Sequence, residues 1–251
     1  MSSAFLQGLA LKKAMTRSLF TISRLLCLAI AKLAFRLHIE GQQFIPRTGP
    51  AILAANHVSY IDPIIIGIAT QRPVRFMAKK ELFRFPLFGW LLRQFGTIPI
   101  DRYRTDVQAF KRATSVLKAG EIIVIFPEGT RGNGVDLRPA KPGIGLIAAR
   151  TGAPVIPTFH RGTGKVFPRG AWLPRPYRIT VKFGAPCRFP EKQAEKEKEQ
   201  DQVVMFSQTI MEKIAALKTR SESGSQSRED TRGYAAGDAM LMKKRELNER
   251  T

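Results

Sequence analysis

The sequence predicts an α/β fold: a central, largely parallel sheet flanked by helices. Three observations lead there. Short apolar runs of strand length, such as residues 51–55 and 121–126, alternate with helix-length amphipathic stretches across roughly residues 36–190. The runs at 51–55 and 121–126 are apolar throughout, as strands buried on both faces are, apart from the leading Glu121. The chain has 251 residues, 44% of them hydrophobic, enough for one large domain with a substantial core. The expected divisions are residues 1–35 (N-terminal helices), 36–218 (the α/β domain) and 219–251 (a tail).

Residues 4–36 are apolar but interrupted by Lys12, Lys13, Arg17, Arg24 and Lys32. The longest unbroken apolar run, Leu25 to Ala31, falls far short of the ~20 residues of a spanning helix. On a helix, Lys13, Arg17 and Arg24 share one stripe beside a broad apolar face. That suits a helix lying among lipid headgroups, and equally one packed on its own domain. Arg24 inside the apolar region argues against a cleaved signal peptide.

Phe35 to Ile39 reads as the first strand, and Pro46 to Pro50 as a loop. A buried strand ending at Asn56 follows, then a helix starting at Pro63, with Asp62 suited to cap it. Val74 to Ala78 is a third strand. Lys79 to Phe95 interleaves aromatic and basic residues at helical spacing, which suits a core helix or a membrane interface. Gly96 to Arg102 is a short strand ending in a charged pair. Thr105 to Lys118 is an amphipathic helix stopped by Gly120. The buried strand 121–126 leads into Pro127-Glu128-Gly129-Thr130-Arg131-Gly132. Pro142 to Thr151 forms a helix closed by Gly152. Pro154 to Phe159 is a strand whose two prolines restrict its ladder. Arg178 to Phe183 is the last strand. A mixed-charge helix begins near Lys192 and continues to about Leu217. Ser221 to Thr251 has little to bury and reads as disordered, with Ala239 to Leu247 able to form a short helix.

Lys plus Arg total 41 against 20 Asp plus Glu, a net charge of +21. Such an excess implies a polyanionic partner: nucleic acid, an anionic membrane surface or a phosphorylated substrate. No nucleic-acid-binding motif is present, which argues against the first. Two widely separated cysteines and three histidines make a disulfide framework or a multi-His metal site improbable.

If the strands are mainly parallel, their ends share one sheet edge, where ligands of open α/β sheets bind. His57, Arg102 and the segment Glu128 to Arg131 each follow a strand, so one cleft could hold them all. A His beside a carboxylate is the simplest means of taking a proton from an alcohol near neutral pH. The unperturbed imidazole titrates around pH ~6.5, and the carboxylate fixes its tautomer. Arginine offers a planar fork of donors for phosphate oxygens, and Gly129 admits close backbone approach. An alcohol carrying a phosphate fits that set. Taken singly, each piece has a plainer reading: a helix start at Asp62-Pro63, a surface ion pair at Asp101-Arg102, a turn at 127–130. The chain has no G-x-G-x-x-G, no G-x-x-x-x-G-K-[ST] and no G-x-S-x-G.

Taken together, these segments resemble the glycerolipid acyltransferases, and specifically the 1-acylglycerol-3-phosphate acyltransferases. The family's N-H-x4-D block is matched by Asn56-His57 through Asp62. Its F-P-E-G-T-R block is matched without a gap by Phe126 to Arg131. Gly96 to Arg102 and Val155-Ile156-Pro157-Thr158 resemble its two weaker blocks, and the likeness spans about residues 36–185. The resemblance implies that His57 is general base on the free hydroxyl of a lysophospholipid, with Asp62 orienting and charging the imidazole. It implies that Arg131, with Arg102, holds the acceptor's phosphate, that Glu128 organises its loop with Gly129 and Thr130, and that Asn56 and Pro157 support the site. The acyl donor would be a thioester of coenzyme A or acyl carrier protein, with no metal or other cofactor. Implied partners are lysophosphatidic acid and a phospholipid surface, with no nucleic acid. The implied location is membrane-associated, on the cytoplasmic face of the inner or plasma membrane. Another lyso-lipid acceptor, such as a lyso-ornithine lipid or lysocardiolipin, remains open, and a basic nucleic-acid-binding protein is the remote alternative.

Overall fold

The computed structural model describes residues 21–101, 106–134, 136–190 and 199–219. Its strands are β1 (His38–Glu40), β2 (Ala51–Ala55), β3 (Val74–Lys79), β4 (Ile98–Ile100), β5 (Ile122–Ile125), β6 (Val155–Arg161) and β7 (Thr180–Phe183). They form one sheet in the order β1-β7-β6-β2-β5-β3-β4. From β6 to β4 every neighbouring pair is parallel. β7 runs antiparallel to β6 and parallel to β1, so the sheet is largely parallel with one reversal.

β2 lies between β5 and β6 and is buried along its whole length. Successive strand side chains point to opposite faces. Leu53 therefore packs on one face with Val124, Ile156, Ile65 and Ile66. Ile52 and Ala54 pack on the other with Ile123 and Val155. The first face is covered by the helix at residues 21–35, α1, and by α2 (Asp62–Ala69). The second is covered by α4 (Val107–Lys118), α5 (Gly143–Thr151) and the helix at residues 199–219, α7. Two short helices, α3 (Pro86–Gln94) and α6 (Thr163–Val166), complete the described set. Asp106 caps α4 by accepting from the Ala109 N–H at 2.8 Å, and left-handed Gly152 closes α5.

Several boundaries depart from the sequence reading. The first strand begins at His38, because α1 continues to residue 35. Arg36 there has φ 46°, a left-handed stop, and the Leu37 N–H donates back to the Ala31 carbonyl in the last turns of the helix. An Arg in the position usually held by Gly hides that stop from the sequence. The stretch from Lys79 to Phe95 is not one helix. It is a 3-10 turn at Lys80–Arg84, a break at extended Phe85, and then α3. Pro86 disfavours helical backbone at the residue before it.

β6 tolerates Pro157 in mid-strand and runs two residues beyond its predicted end, which brings in His160. Asp62 lies within α2, which Ile61 caps without a side-chain bond. The Asp62 carboxylate points elsewhere, as described below. The predicted start of the mixed-charge helix lies outside the described residues, as do Arg102, the greater part of the N-terminal segment and residues 220–251.

Candidate active site

β2, β5 and β6 are parallel neighbours, so their C-terminal ends open onto one edge of the sheet. β2 delivers Asn56 and His57, β5 delivers Phe126 to Arg131, and β6 delivers His160.

Asn56 is a clasp between β2 and β6. Its side-chain oxygen accepts from the His160 N–H at 2.9 Å, and its Nδ2 donates to the His160 carbonyl at 3.0 Å. His160 returns the contact, with Nε2 donating to the Asn56 carbonyl at 2.7 Å. The two ends are thus locked just before the chain turns at His57.

His57 is held at its backbone, at one ring nitrogen and at one ring face. Its N–H donates to Glu128 Oε1 at 3.0 Å, and its carbonyl accepts from the Gly132 N–H at 2.7 Å. The ring stacks on Phe126 with centroids 4.1 Å apart and 21° between planes. Nδ1 donates to Asp62 Oδ2 at 2.8 Å. A carboxylate can only accept here, so the proton sits on Nδ1 and the Nε2 lone pair is left for chemistry. Nε2 has no hydrogen-bond partner among the described residues, and His57 is 8% exposed.

Asp62 is 0% exposed. Its Oδ2 also accepts from the Val58 and Ser59 N–H groups, both at 2.7 Å. Oδ1 accepts no hydrogen bond and faces His160 Nδ1 at 3.7 Å. Burial alone would raise the carboxyl's pKa. The His160 imidazole, the hydrogen bonds from His57 and Ser59, and the nearby Thr163 hydroxyl outweigh it and hold the group below the usual carboxylate range. Asp62 therefore stays ionised at neutral pH, as a partner for an imidazolium must.

Glu128, also buried, braces two loops. Oε1 takes the His57 N–H, and Oε2 takes the Arg138 N–H at 3.3 Å. Gly129 has φ 71°, and a Cβ there would come within 2.7 Å of Lys141 Cε. The left-handed turn therefore already favours glycine apart from any ligand, while the flexible end of Lys141 could move aside. Thr130 is exposed on the rim. The Arg131 guanidinium lies over the Tyr60 ring, its central carbon 3.5 Å from the centroid. No carboxylate pairs with it among the described residues, so its donors remain available to an anion. Tyr60 belongs to the His57–Asp62 loop, so Arg131 and His57 serve one side of the molecule.

Two predicted members remain. Pro157 lies inside the sheet beside Ala54, its carbonyl accepting from the Gly184 N–H. Arg102 lies outside the described residues. The strand before it, β4, stands three places from β2, roughly 14 Å at the usual ~4.8 Å spacing. Neighbouring Asp101 pairs with Lys80 at 2.6 Å.

Sequence reasoning missed His160, Tyr60, Lys141 and Arg169, whose Nη2 donates to the Arg131 and Gly132 carbonyls. His160 had a legible signal. It ends an apolar strand, as His57 does.

The acyltransferase family profile matches residues 36–161, just over half of the chain, and takes in every site residue named above except Thr163 and Arg169. The chain belongs to the acyltransferase family. Among relatives in that family, it is 34% identical over 140 residues to a chloroplast 1-acyl-sn-glycerol-3-phosphate acyltransferase of Brassica napus. The match covers 55% of this chain and 40% of the relative. It is 32% identical over 125 residues to the 1-acyl-sn-glycerol-3-phosphate acyltransferase of Bacillus subtilis, covering 49% of this chain and 62% of that one. The chain thus spans between two fifths and two thirds of these relatives' lengths. The crystal structure of the acyltransferase PlsC from Thermotoga maritima superposes with TM-score 0.65 at 25% identity, covering 84% of this chain and 89% of PlsC.

Proposed function

We propose that this acyltransferase moves a fatty acyl group from a thioester of coenzyme A or acyl carrier protein to the free hydroxyl of 1-acylglycerol-3-phosphate, giving phosphatidic acid. The observation that carries the reading is the buried His57–Asp62 pair with the Arg131 guanidinium on the same side, His57 Nε2 and Arg131 both without a polar side-chain partner among the described residues. The acceptor hydroxyl donates its proton to His57 Nε2 as its oxygen attacks the thioester carbonyl. The C–O bond forms, the C–S bond breaks, and the proton passes from the imidazolium to the departing thiolate. Ionised Asp62 stabilises the imidazolium meanwhile. Arg131 holds the acceptor phosphate, with Glu128 fixing the loop beneath it. A well-placed base accounts for about 10²–10⁴-fold of the rate, and holding both amphiphiles in register accounts for much of the rest. The names of the relatives support this acceptor, and the exposed apolar face of α1 supports work at a phospholipid surface.

The test is incubation of the purified protein with labelled lysophosphatidic acid and each acyl donor, followed by lipid separation. Phosphatidic acid should form, and His57→Ala should abolish it while leaving the circular dichroism spectrum unchanged. No product with either donor, or product from a panel of other lyso-lipids only, would overturn the reading. Turnover by His57→Ala would remove the base assignment.

A further inference from the structure

The loop from Phe167 to Arg178 is not used by the chemistry above. It leaves the C-terminal end of β6 and returns into β7, so both its ends lie at the catalytic edge of the sheet. It is built rather than slack. The Phe167 carbonyl accepts from Ser59 Oγ at 3.0 Å, and the Arg169 guanidinium ties the loop to the Arg131–Gly132 backbone. The Arg175 N–H donates to the Val166 carbonyl at 2.7 Å, and the Ile179 N–H donates to the Phe35 carbonyl at the end of α1. The loop is therefore clamped to the His57 loop, to the Arg131 loop and to the N-terminal helix.

What it presents is anomalous for water. Trp172 is 96% exposed and Leu173 78%, and the run continues exposed through Arg178. Tyr177 is half exposed, with Lys165 Nζ 5.0 Å from its ring centroid. A protein seldom leaves a tryptophan and a leucine side by side in solvent without an occupant for them. The charge identifies the occupant. From Leu137 to Pro190 the chain has no Asp or Glu, while Lys165, Arg169, Arg175 and Arg178 stand in or beside the loop. An aromatic and an aliphatic side chain flanked in the chain by cations, none paired with a carboxylate among the described residues, match the interface of an anionic bilayer. Indole and leucine enter the headgroup boundary there, and the cations face lipid phosphates.

We propose that the Trp172–Leu173 loop docks this protein on anionic phospholipid, seating the mouth of the His57 cleft against the surface that supplies its acceptor. The proposal rests on the lipid-substrate reading above, but its measurement does not depend on turnover. The chain has two tryptophans, Trp90 and Trp172. In full-length Trp90→Phe, Trp172 is the sole emitter; in Trp172→Phe, Trp90 is. Each is titrated with vesicles of phosphatidylcholine mixed with phosphatidylglycerol, with and without brominated acyl chains. Trp172 emission should shift to the blue and be quenched by the brominated lipid. Trp172→Ala/Leu173→Ala should weaken partitioning by roughly tenfold or more.

Unshifted Trp172 emission in protein that sediments with the vesicles overturns the proposal, as does failure to sediment at all. So does a dimer in lipid-free buffer that Trp172→Ala dissolves, since a second copy would then be the occupant. If Trp90→Phe does not fold, the difference between wild type and Trp172→Phe gives the same readout. Docking without phosphatidic acid formation would sink the reaction and spare the anchor. Product formation with Trp172 still in water would do the reverse.

Discussion

Asp62 Oδ2 takes donors from His57, Val58 and Ser59, and that crowding predicts what replacing it does. The side-chain oxygen of Asp62→Asn can keep all of them, so the ring should hold its place while the negative charge is lost. The expected outcome is a fall in kcat of about 10³–10⁴-fold with little change in KM, the scale reached when Asn replaces the Asp of a His–Asp pair. The carboxyl's pKa is lower folded than unfolded. Its contribution to stability is therefore complete above the unfolded value of about 3.9 and is lost as pH falls through the folded one. Denaturant unfolding should show a gap between wild type and Asp62→Asn that narrows as pH drops from about 6 towards 3; a gap that widens would contradict this. Arg131→Ala removes a charged donor pair worth about 1.5–3 kcal/mol. The apparent KM for a phosphate-bearing acceptor should rise roughly 10–100-fold, against little change for the acyl donor. Equal effects on both would contradict the phosphate role. His57 and Asp62 were legible in the sequence as a spaced pair. Glu128 was legible as a loop residue but not as the brace of the His57 backbone, because its partners are main-chain N–H groups that any sequence supplies.

Among the elements, α1 packs on its own domain, one of the two readings its sequence left open, and keeps an apolar face outward. Leu28, Ala31 and Phe35 pack into the core, while Leu25, Leu26 and Leu33 face outward, Leu33 with 85% of its surface exposed. No described helix is long and apolar enough to cross a membrane. Removing α1 would strip the core, so an outward substitution is the cleaner probe. Leu25→Ser/Leu33→Ser should change stability by no more than about 0.5 kcal/mol per site in thermal unfolding. It should also reduce sedimentation with anionic vesicles severalfold; undiminished binding would leave that face without a role. Two of the element boundaries that the sequence misplaced share a cause. The left-handed turn at Arg36 and the extension of β6 to Arg161 are both set by neighbours: the return of the chain into β1, and the Asn56 side chain that continues the ladder.

Across the whole molecule, the charge of +21 and the cationic loop at the catalytic edge predict binding that is strongly electrostatic. Affinity for phosphatidylglycerol-containing vesicles should fall steeply as sodium chloride rises from low ionic strength to about 0.5 M, as the Debye length shrinks. Binding to pure phosphatidylcholine should be weak at every salt concentration. Salt-independent binding would show that apolar insertion alone holds the protein on the surface. At this scale the division of labour between sequence and fold is also plain. The sequence by itself determined the alternating α/β pattern, the buried strands, the His57–Asp62 spacing and the Phe126 to Arg131 loop, because each is written in residues close together along the chain. Only the tertiary structure decided that β2 lies between β5 and β6, that Glu128 reaches back 71 residues to His57 and that Asn56 clasps His160 104 residues away. It alone clamped the Trp172 loop beside Arg131. Those contacts depend on strand order, and strand order follows from how all the apolar faces can be covered at once, which no local stretch encodes.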